Sequence, residues 1–351
     1  MDVYRILNLK IQNALIKKKA IGICPLGKNG LLAKQILNQR YGIQESVVVD
    51  NELCKWNKLC KSMDELPMGD NGTVIILSVE NEMIRKTLKS SLISKGYVVD
   101  DLYTPSVYPA EDEEYLRILV DLLAPKKIAS SCLRRFGRTG DGGYCLVDDL
   151  NEDDIVYSFG INDDVSWDKD ITKTGAHVFM YDPTIDCLPE YNERFHFERI
   201  GITGDVEDKN YLLLDSILKR NCHDNNERMI LKMDVEGAEW DVLENVSTEI
   251  IRKFRQITLE MHGMLDETEK DRKLKIIRKI CDTHQPIWVH GNNFSYAETL
   301  DDLCVPNALE VTFASKDHYQ SCKELCNVVC DLDMPNWCEL PDFVLGNWSK
   351  N

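Results

Sequence analysis

Short apolar runs of four to six residues alternate along this chain with stretches whose apolar positions recur at helical spacing. In the first third the runs are AIGIC (20–24), SVVVD (46–50), TVIILS (73–78) and YVVD (97–100). Helical spacing covers LLAKQILNQ and the stretch from about Glu82 to Ser94. Such alternation predicts parallel strand–helix–strand units. The series ends at YTPSVYPAEDEEY, where prolines and an acidic cluster mark a boundary. A helix over about 113–123 leads into a second series: DIVYSFG (154–160), HVFMYD (177–182), FHFERIG (195–201), MILKMD (229–234), QITLEMH (256–262), PIWVHG (286–291) and ALEVTFA (308–314). Helices are expected between them, notably over 236–254 and 266–282. The expected fold class is α/β in two domains, a small one over 1–108 and, after a linker helix over 109–125, a doubly wound seven-stranded one over 126–351.

Composition leaves this picture standing and excludes some functions. With 351 residues, 43% hydrophobic and 29% charged, the chain has apolar material for two real cores. No stretch approaches the roughly 20 apolar residues of a membrane-spanning helix. The N-terminal MDVYRILNLKIQNALIKKKA interleaves polar and apolar residues and reads as an amphipathic helix, not a signal peptide. Thirteen cysteines spread along the chain read as free thiols of a reducing, cytoplasmic compartment. A net charge of −17 argues against nucleic acid or an anionic membrane as partner.

Ligands of open α/β sheets bind beyond the carboxyl ends of the strands. In the second series the first strand ends at Gly160, followed by Ile161 and Asn162, and the next ends at Asp182, 22 residues later. That spacing suits an acid bonding ribose hydroxyls over a glycine turn. A single glycine, with no phosphate-cradling sequence after it, fits a nucleoside such as S-adenosylmethionine better than a dinucleotide. Gly160 alone reads equally as a tight turn. The strand MILKM delivers Asp234 to its mouth, and Glu236 and Glu239 fall in what reads as the first turn of the next helix. Helix-dipole complementarity suffices for Glu239; Asp234 is pushed toward the crevice. On the neighbouring strand, alternation puts Glu260 and His262 on one face, toward Asp234. His262 is the general-base candidate, with Asp234 and Glu260 as its catalytic neighbours. The same three residues are also a candidate divalent-metal set.

LKMDVEGAEWDVL resembles the signature of FkbM-type S-adenosylmethionine-dependent methyltransferases. RFGRTGDGGYCLVDDL, YSFGINDDVSWDKDI, LEVTF and LDMPNWCELPDFVLGNW are similar to segments of a related methyltransferase-domain family, over about 126–351. The resemblance implies a Rossmann-like methyltransferase sheet, with Gly160 and its neighbours along the methionine part of the donor and Asp182 on its ribose. It further implies that Asp141, Gly142, Gly143 and Tyr144 close over the cofactor; by composition alone GDGGY is a flexible turn. GINDD replaces the glycine-richer loop of common methyltransferases. Tyr144 and Trp167 are the candidate aromatic faces for the sulfonium.

The first domain resembles the small Rossmann-type domain of sugar-modifying enzymes, with Gly27 and Gly30 in a glycine turn and Asp50 at a strand end. It reads as a nucleotide-sugar or substrate-binding module, or as a scaffold that joins copies into a homo-oligomer. Asn292 and Asn293, at another strand end, either bond substrate hydroxyls or form a plain turn. Cys322, Cys326 and Cys330, four apart, read as one helical stripe of small apolar residues. The leading expectation is a cytoplasmic O-methyltransferase acting on a sugar or nucleotide-linked glycan precursor, with Glu236 near the substrate. The alternatives are an NAD-dependent sugar-modifying enzyme using the first domain, and a catalytically silent nucleotide-sugar sensor.

Overall fold

The computed structural model describes residues 2–69, 71–129, 132–325 and 330–348. The chain separates into two compact units, Met1–Pro109 with Asn293–Ala297 and Trp337–Pro341, and Ala110–Asn292 with Glu298–Asn336 and Asp342–Asn351. The expected linker helix, Glu113–Leu123, lies inside the second unit, and the short returns of chain to the first were not foreseen. Asp112 caps this helix by accepting from the Tyr115 amide, and Tyr115, Leu116, Leu119, Val120 and Leu123 form its buried stripe.

In the first unit five parallel strands lie in the order Cys60–Lys61, Val47–Val49, Ala20–Cys24, Thr73–Leu77, Val98–Asp101. Cys24, Val49, Ile75, Leu77, Leu92 and Tyr97 form its core. Helix Val3–Ile16 is amphipathic as expected, except that Lys10 and Asn13 are on the buried face. Lys10 is the charged one. Its ammonium lies 2.5 Å from Asp100 and donates to the Thr104 carbonyl at 2.7 Å, while Tyr108 donates to the other Asp100 oxygen. Paired and hydrogen-bonded in this way, the charge can be buried.

The second unit holds a sheet of seven strands in the order Phe195–Glu198, His177–Tyr181, Ile155–Phe159, Met229–Met233, Phe254–Met261, Leu309–Ser315, His284–Gly291. Six run in one direction, and Leu309–Ser315 is antiparallel to both its neighbours. The central strands are buried along their whole length, and the polar residues they carry, Lys232, Arg255, Gln256, Thr258 and Glu260, are buried with them. The strand order reverses between Ile155–Phe159 and Met229–Met233, which makes the gap at their carboxyl ends the ligand crevice of such a sheet.

Two expectations are corrected and one unforeseen element is added. The helix expected over 236–254 is two, Glu239–Asn245 and Thr248–Arg252, because Val246 is extended and Ser247 caps a new helix by accepting from the Ile250 amide. The stretch Leu133–Phe136 pairs antiparallel with Tyr144–Val147, so GDGGY connects a hairpin. Ser321–Leu325 is a strand, not a helix, which removes the cysteine stripe; Cys326 lies outside the described residues. The cysteines described are free, and no described helix is long and apolar enough to cross a membrane.

His284 opens its strand fully buried, its Nε2–H donating to the Phe254 carbonyl at 2.7 Å while Nδ1 accepts from the Thr283 hydroxyl at 2.7 Å. That network assigns the neutral tautomer. Burial above all pushes its pKa down to about 4. Between pH 6.5 and 4 the unfolded chain therefore takes up a proton that the folded chain refuses, and stability falls as pH falls. The loss should approach about 3 kcal/mol. Urea denaturation of the wild type and His284→Gln at pH 7 and 4.5 should show a smaller pH-dependent loss in the variant.

Candidate active site

Gly160 sits at the switch point with φ +78°, and a Cβ there would lie 1.6 Å from the Asp234 carbonyl oxygen. No side chain fits between these two strand ends. The loop after Gly160 is shaped by Asp182. One of its oxygens accepts from the amides of Ile161 and Asn162, both at 2.8 Å, and the other from the amide and hydroxyl of Thr184 at 2.7 and 2.6 Å. Burial alone would raise the Asp182 pKa, but these donors hold it below the usual carboxylate range. Four protein donors engage the carboxylate that was expected to face a ribose. Lys232, which the sequence reading passed over, is buried one strand away and donates from Nζ to the Gly160 carbonyl at 2.9 Å.

The structure brings Asp234, Glu260, His262 and Tyr144 together. The Tyr144 hydroxyl, fully buried, lies 3.0 Å from Asp234 Oδ2 and 3.3 Å from Glu260 Oε2. Its one proton serves two carboxylates. Burial, then the charges of Asp234 and Glu260, raise the Tyr144 pKa, so it remains a donor. Burial likewise raises the Glu260 carboxyl well above its ordinary range, reinforced by Asp234, Glu310 and Asp141. Asn292 donates to Glu260 Oε1 at 2.7 Å, so this asparagine reaches the network. Asn293 does not. It is buried, donates to the carbonyls of Trp337, Leu340 and Pro341, and accepts from the Trp337 amide, so no polar group is left for a substrate.

Glu239 is more than dipole complement. It is fully buried, accepts from the amides of Gly237 and His262 at 2.8 Å each, and lies 3.2 Å from His262 Nδ1. Trp240 fixes the same residue by donating to the His262 carbonyl. Burial lowers the affinity of His262 for a proton, but Glu239, Asp234 and Glu236 outweigh it and the pKa is raised. His262 Nε2 stands 3.5 Å from Glu236 and 3.6 Å from Glu260. Glu236 itself is exposed, with φ +53° in the turn before the helix.

The hairpin loop is fastened to the glycine loop. Arg138 donates from its amide to Ser166 and pairs with Asp164 at 3.2 Å, and the Gly137 amide donates to Asp170. Asp141 accepts from Asn336 at 3.1 Å. Trp167 belongs to the core with Phe136, Val156 and Met180, so it offers no face to a sulfonium; the Tyr144 ring already faces Lys232 Nζ at 5.5 Å. Two sets of residues can bring one ligand atom each within 4.8 Å of one another: Asp234, Glu236 and His262, and Asp141, Glu260 and Glu310. A cavity of about 540 Å3 lined by Thr203, Gly204, Leu214, Val242 and Ile250 touches none of these residues.

In the first unit Gly30 is required where Gly27 is not. A Cβ on Gly30 would lie 2.0 Å from the Pro25 carbonyl oxygen, whereas Gly27 has nothing within 4 Å. Asp50 accepts from the amides of Leu26, Glu52 and Leu53.

A family model described as a methyltransferase domain matches residues 92–278, more than half of the chain. The chain belongs to this methyltransferase-domain family and is, by class, an S-adenosylmethionine-dependent methyltransferase. Among solved structures it is similar to methyltransferase FkbM from Methylobacillus flagellatus KT, with 12% identity, a TM-score of 0.38, and 89% of this chain and 95% of that chain covered. It is also similar to phosphoethanolamine N-methyltransferase 2 of Haemonchus contortus in complex with phosphomonomethylethanolamine and S-adenosylhomocysteine, at 8% identity and a TM-score of 0.20, with 79% of each chain covered. At these values neither likeness bears on the acceptor. No curated protein matches the chain.

Gly160→Ala should destabilise the protein by roughly 2–5 kcal/mol, through overlap with the Asp234 peptide and an unfavourable backbone region. Gly27→Ala, at φ −73° in open space, should change stability by less than about 0.5 kcal/mol. Paired urea denaturation curves measure both.

Proposed function

We propose that the second unit binds S-adenosylmethionine across the switch point and transfers its methyl group to a hydroxyl of a sugar or nucleotide-linked glycan precursor. The observation that carries this reading is the bare backbone at Gly160, held against Asp234 and shaped by Asp182, at the place where the strand order reverses. Gly160, Ile161 and Asn162 would flank the methionine part of the donor. Asp182 would meet the ribose by exchanging the Thr184 hydroxyl, 2.6 Å away, for a sugar hydroxyl. Asp141, Gly142, Gly143 and Tyr144 would cover the donor, with Asp234, held by the Tyr144 hydroxyl, at its sulfonium end.

The bound donor supplies an already activated methyl group, so the protein's task is alignment and removal of the acceptor's proton. His262 would perform the second task. Glu239 fixes the ring through Nδ1, which leaves Nε2 facing Glu236, Glu260 and the crevice. As the acceptor oxygen bonds to the methyl carbon and the S–CH3 bond breaks, the hydroxyl proton passes to Nε2 of the neutral ring. Glu236, exposed beside it, would contact the acceptor, and Asn292 would hold Glu260 in place. In the first unit, Gly27, Gly30 and Asp50 are proposed to receive a nucleotide-sugar or related substrate, because Asp50 shapes its glycine turn much as Asp182 does. The free cysteines support a reducing, cytoplasmic setting.

Calorimetric titration with S-adenosylhomocysteine should give saturable binding to the wild type and none to Asp182→Ala. A well-folded wild type that does not bind would overturn the donor site and leave the silent sensor as the better reading. His262→Gln should retain binding within about threefold while turnover falls by about 10²–10⁴. Full turnover in that variant would remove His262 as the base.

A further inference from the structure

Two residues of the proposed site, Asp141 and Glu260, also belong to a second group of acids. Glu260 and Glu310 are direct cross-strand partners on the antiparallel pair Phe254–Met261 and Leu309–Ser315. Like charges directly opposite one another destabilise a sheet, and here both side chains are buried, at 4% and 0% exposure. Asp141 joins them from the hairpin loop, so that three carboxylate oxygens lie within 4.8 Å of one another. Among the described residues no lysine or arginine comes within ion-pair distance of the three. The facing cationic groups are His290, 2.9 Å from Glu310 and shared with Asp342, and His262, 3.6 Å from Glu260.

A separate observation concerns Asn336, 7% exposed. Its amide nitrogen donates to Glu310 at 2.6 Å and to Asp141 at 3.1 Å, which places the head group in this cluster. Its oxygen Oδ1 is buried with no hydrogen-bond partner among the described residues. A buried amide oxygen without a donor is costly and calls for an electropositive partner. The nitrogen cannot be exchanged for it, since an oxygen turned toward two carboxylates would only repel.

We propose that Asp141, Glu260, Glu310 and the Asn336 oxygen form a binding site for a hard divalent cation. An all-oxygen donor set selects the magnesium, manganese and calcium class over zinc or copper. The spacing agrees, because oxygens bound to calcium at 2.3–2.6 Å stand up to about 5 Å apart. The set Asp234, Glu236 and His262 is the weaker candidate: Glu236 is exposed, and Nδ1 of His262 is taken by Glu239. Glu310 and Asn336 fall after residue 278, outside the span matched by the methyltransferase model. Glu260 also touches the Tyr144 hydroxyl, so the cation borders the crevice. On the methyltransferase reading, on which this last clause rests, it would hold an oxygen of the acceptor beside the methyl group.

The test is binding of Mn2+ to the full-length, metal-stripped protein, followed by electron paramagnetic resonance, with Ca2+ calorimetry alongside. One tight site is expected, weakened at least tenfold by Glu310→Gln and by Asn336→Ala and changed less than twofold by Glu236→Gln. Circular dichroism checks the fold of each variant; should Glu310→Gln fail to fold, Asp141→Asn in the hairpin loop takes its place, with the same tenfold loss expected. No binding of either ion at millimolar concentration overturns the site. So does binding that survives Glu310→Gln or Asp141→Asn in folded protein, or that is lost in Glu236→Gln. S-adenosylhomocysteine titration of the same samples reports the donor site separately, so failure of one site is not failure of the other.

Discussion

The contact between the Gly160 backbone and the Asp234 peptide sets the geometry of everything around it. With a Cβ excluded at 1.6 Å, the two central strands meet at the switch point with bare backbone between them. The Asp234 amide donates to the Phe159 carbonyl at 3.0 Å, the Gly160 amide to Tyr181, and Lys232 fills the Gly160 carbonyl. Asp234 is thereby delivered to the Tyr144 hydroxyl, and through it to Glu260. Loosen this contact and the loop after Gly160, the Asp182 clamp and the acid pair at Tyr144 lose their common reference.

Each unit uses one device at its first turn. A carboxylate at the end of the second strand reaches back to amides of the turn after the first: Asp50 to Leu26 in one unit, Asp182 to Ile161 and Asn162 in the other. An open turn carries amides that no strand or helix satisfies, and a buried acid with an otherwise unstable charge is a strong acceptor for them. Each solves the other's problem. The result is a turn held in shape before any ligand arrives, which is the preorganisation that a nucleoside site needs.

The seven strands of the second unit were legible because most of the sheet is buried and its strands are short and rich in apolar residues, with only isolated polar positions among them. Alternation was enough to bring Glu260 and His262 to Asp234. The helix over 236–254 was misread because a cap at Ser247 looks like any polar residue inside a helix until Val246 is seen to be extended. The hairpin of Leu133–Phe136 and Tyr144–Val147 escaped notice because its loop is rich in turn residues and its strands are only four residues long. Glu310 and Asn336 were illegible for a deeper reason. Their importance lies in cross-strand register and in contacts more than a hundred residues away in sequence, which neither composition nor period carries.

The site residues show why acids at strand ends cannot be sorted from sequence alone. Asp182 and Glu239 looked like a ligand contact and a dipole complement; in the structure both are turned toward backbone amides and fix the loops that carry them, Asp182 with one bond from the Thr184 hydroxyl besides. Asp141, Asp234, Glu260 and Glu310 face one another, with one tyrosine proton, two asparagine amides and flanking imidazoles among them. Acids of the first kind are satisfied by the chain that carries them. Acids of the second kind remain in conflict, and a buried conflict of like charges is sustained only where something outside the chain resolves it: a proton, a cation or a substrate. It is therefore the direction of each carboxylate, toward amides or toward another carboxylate, that separates the acids that shape this crevice from those that remain in conflict within it.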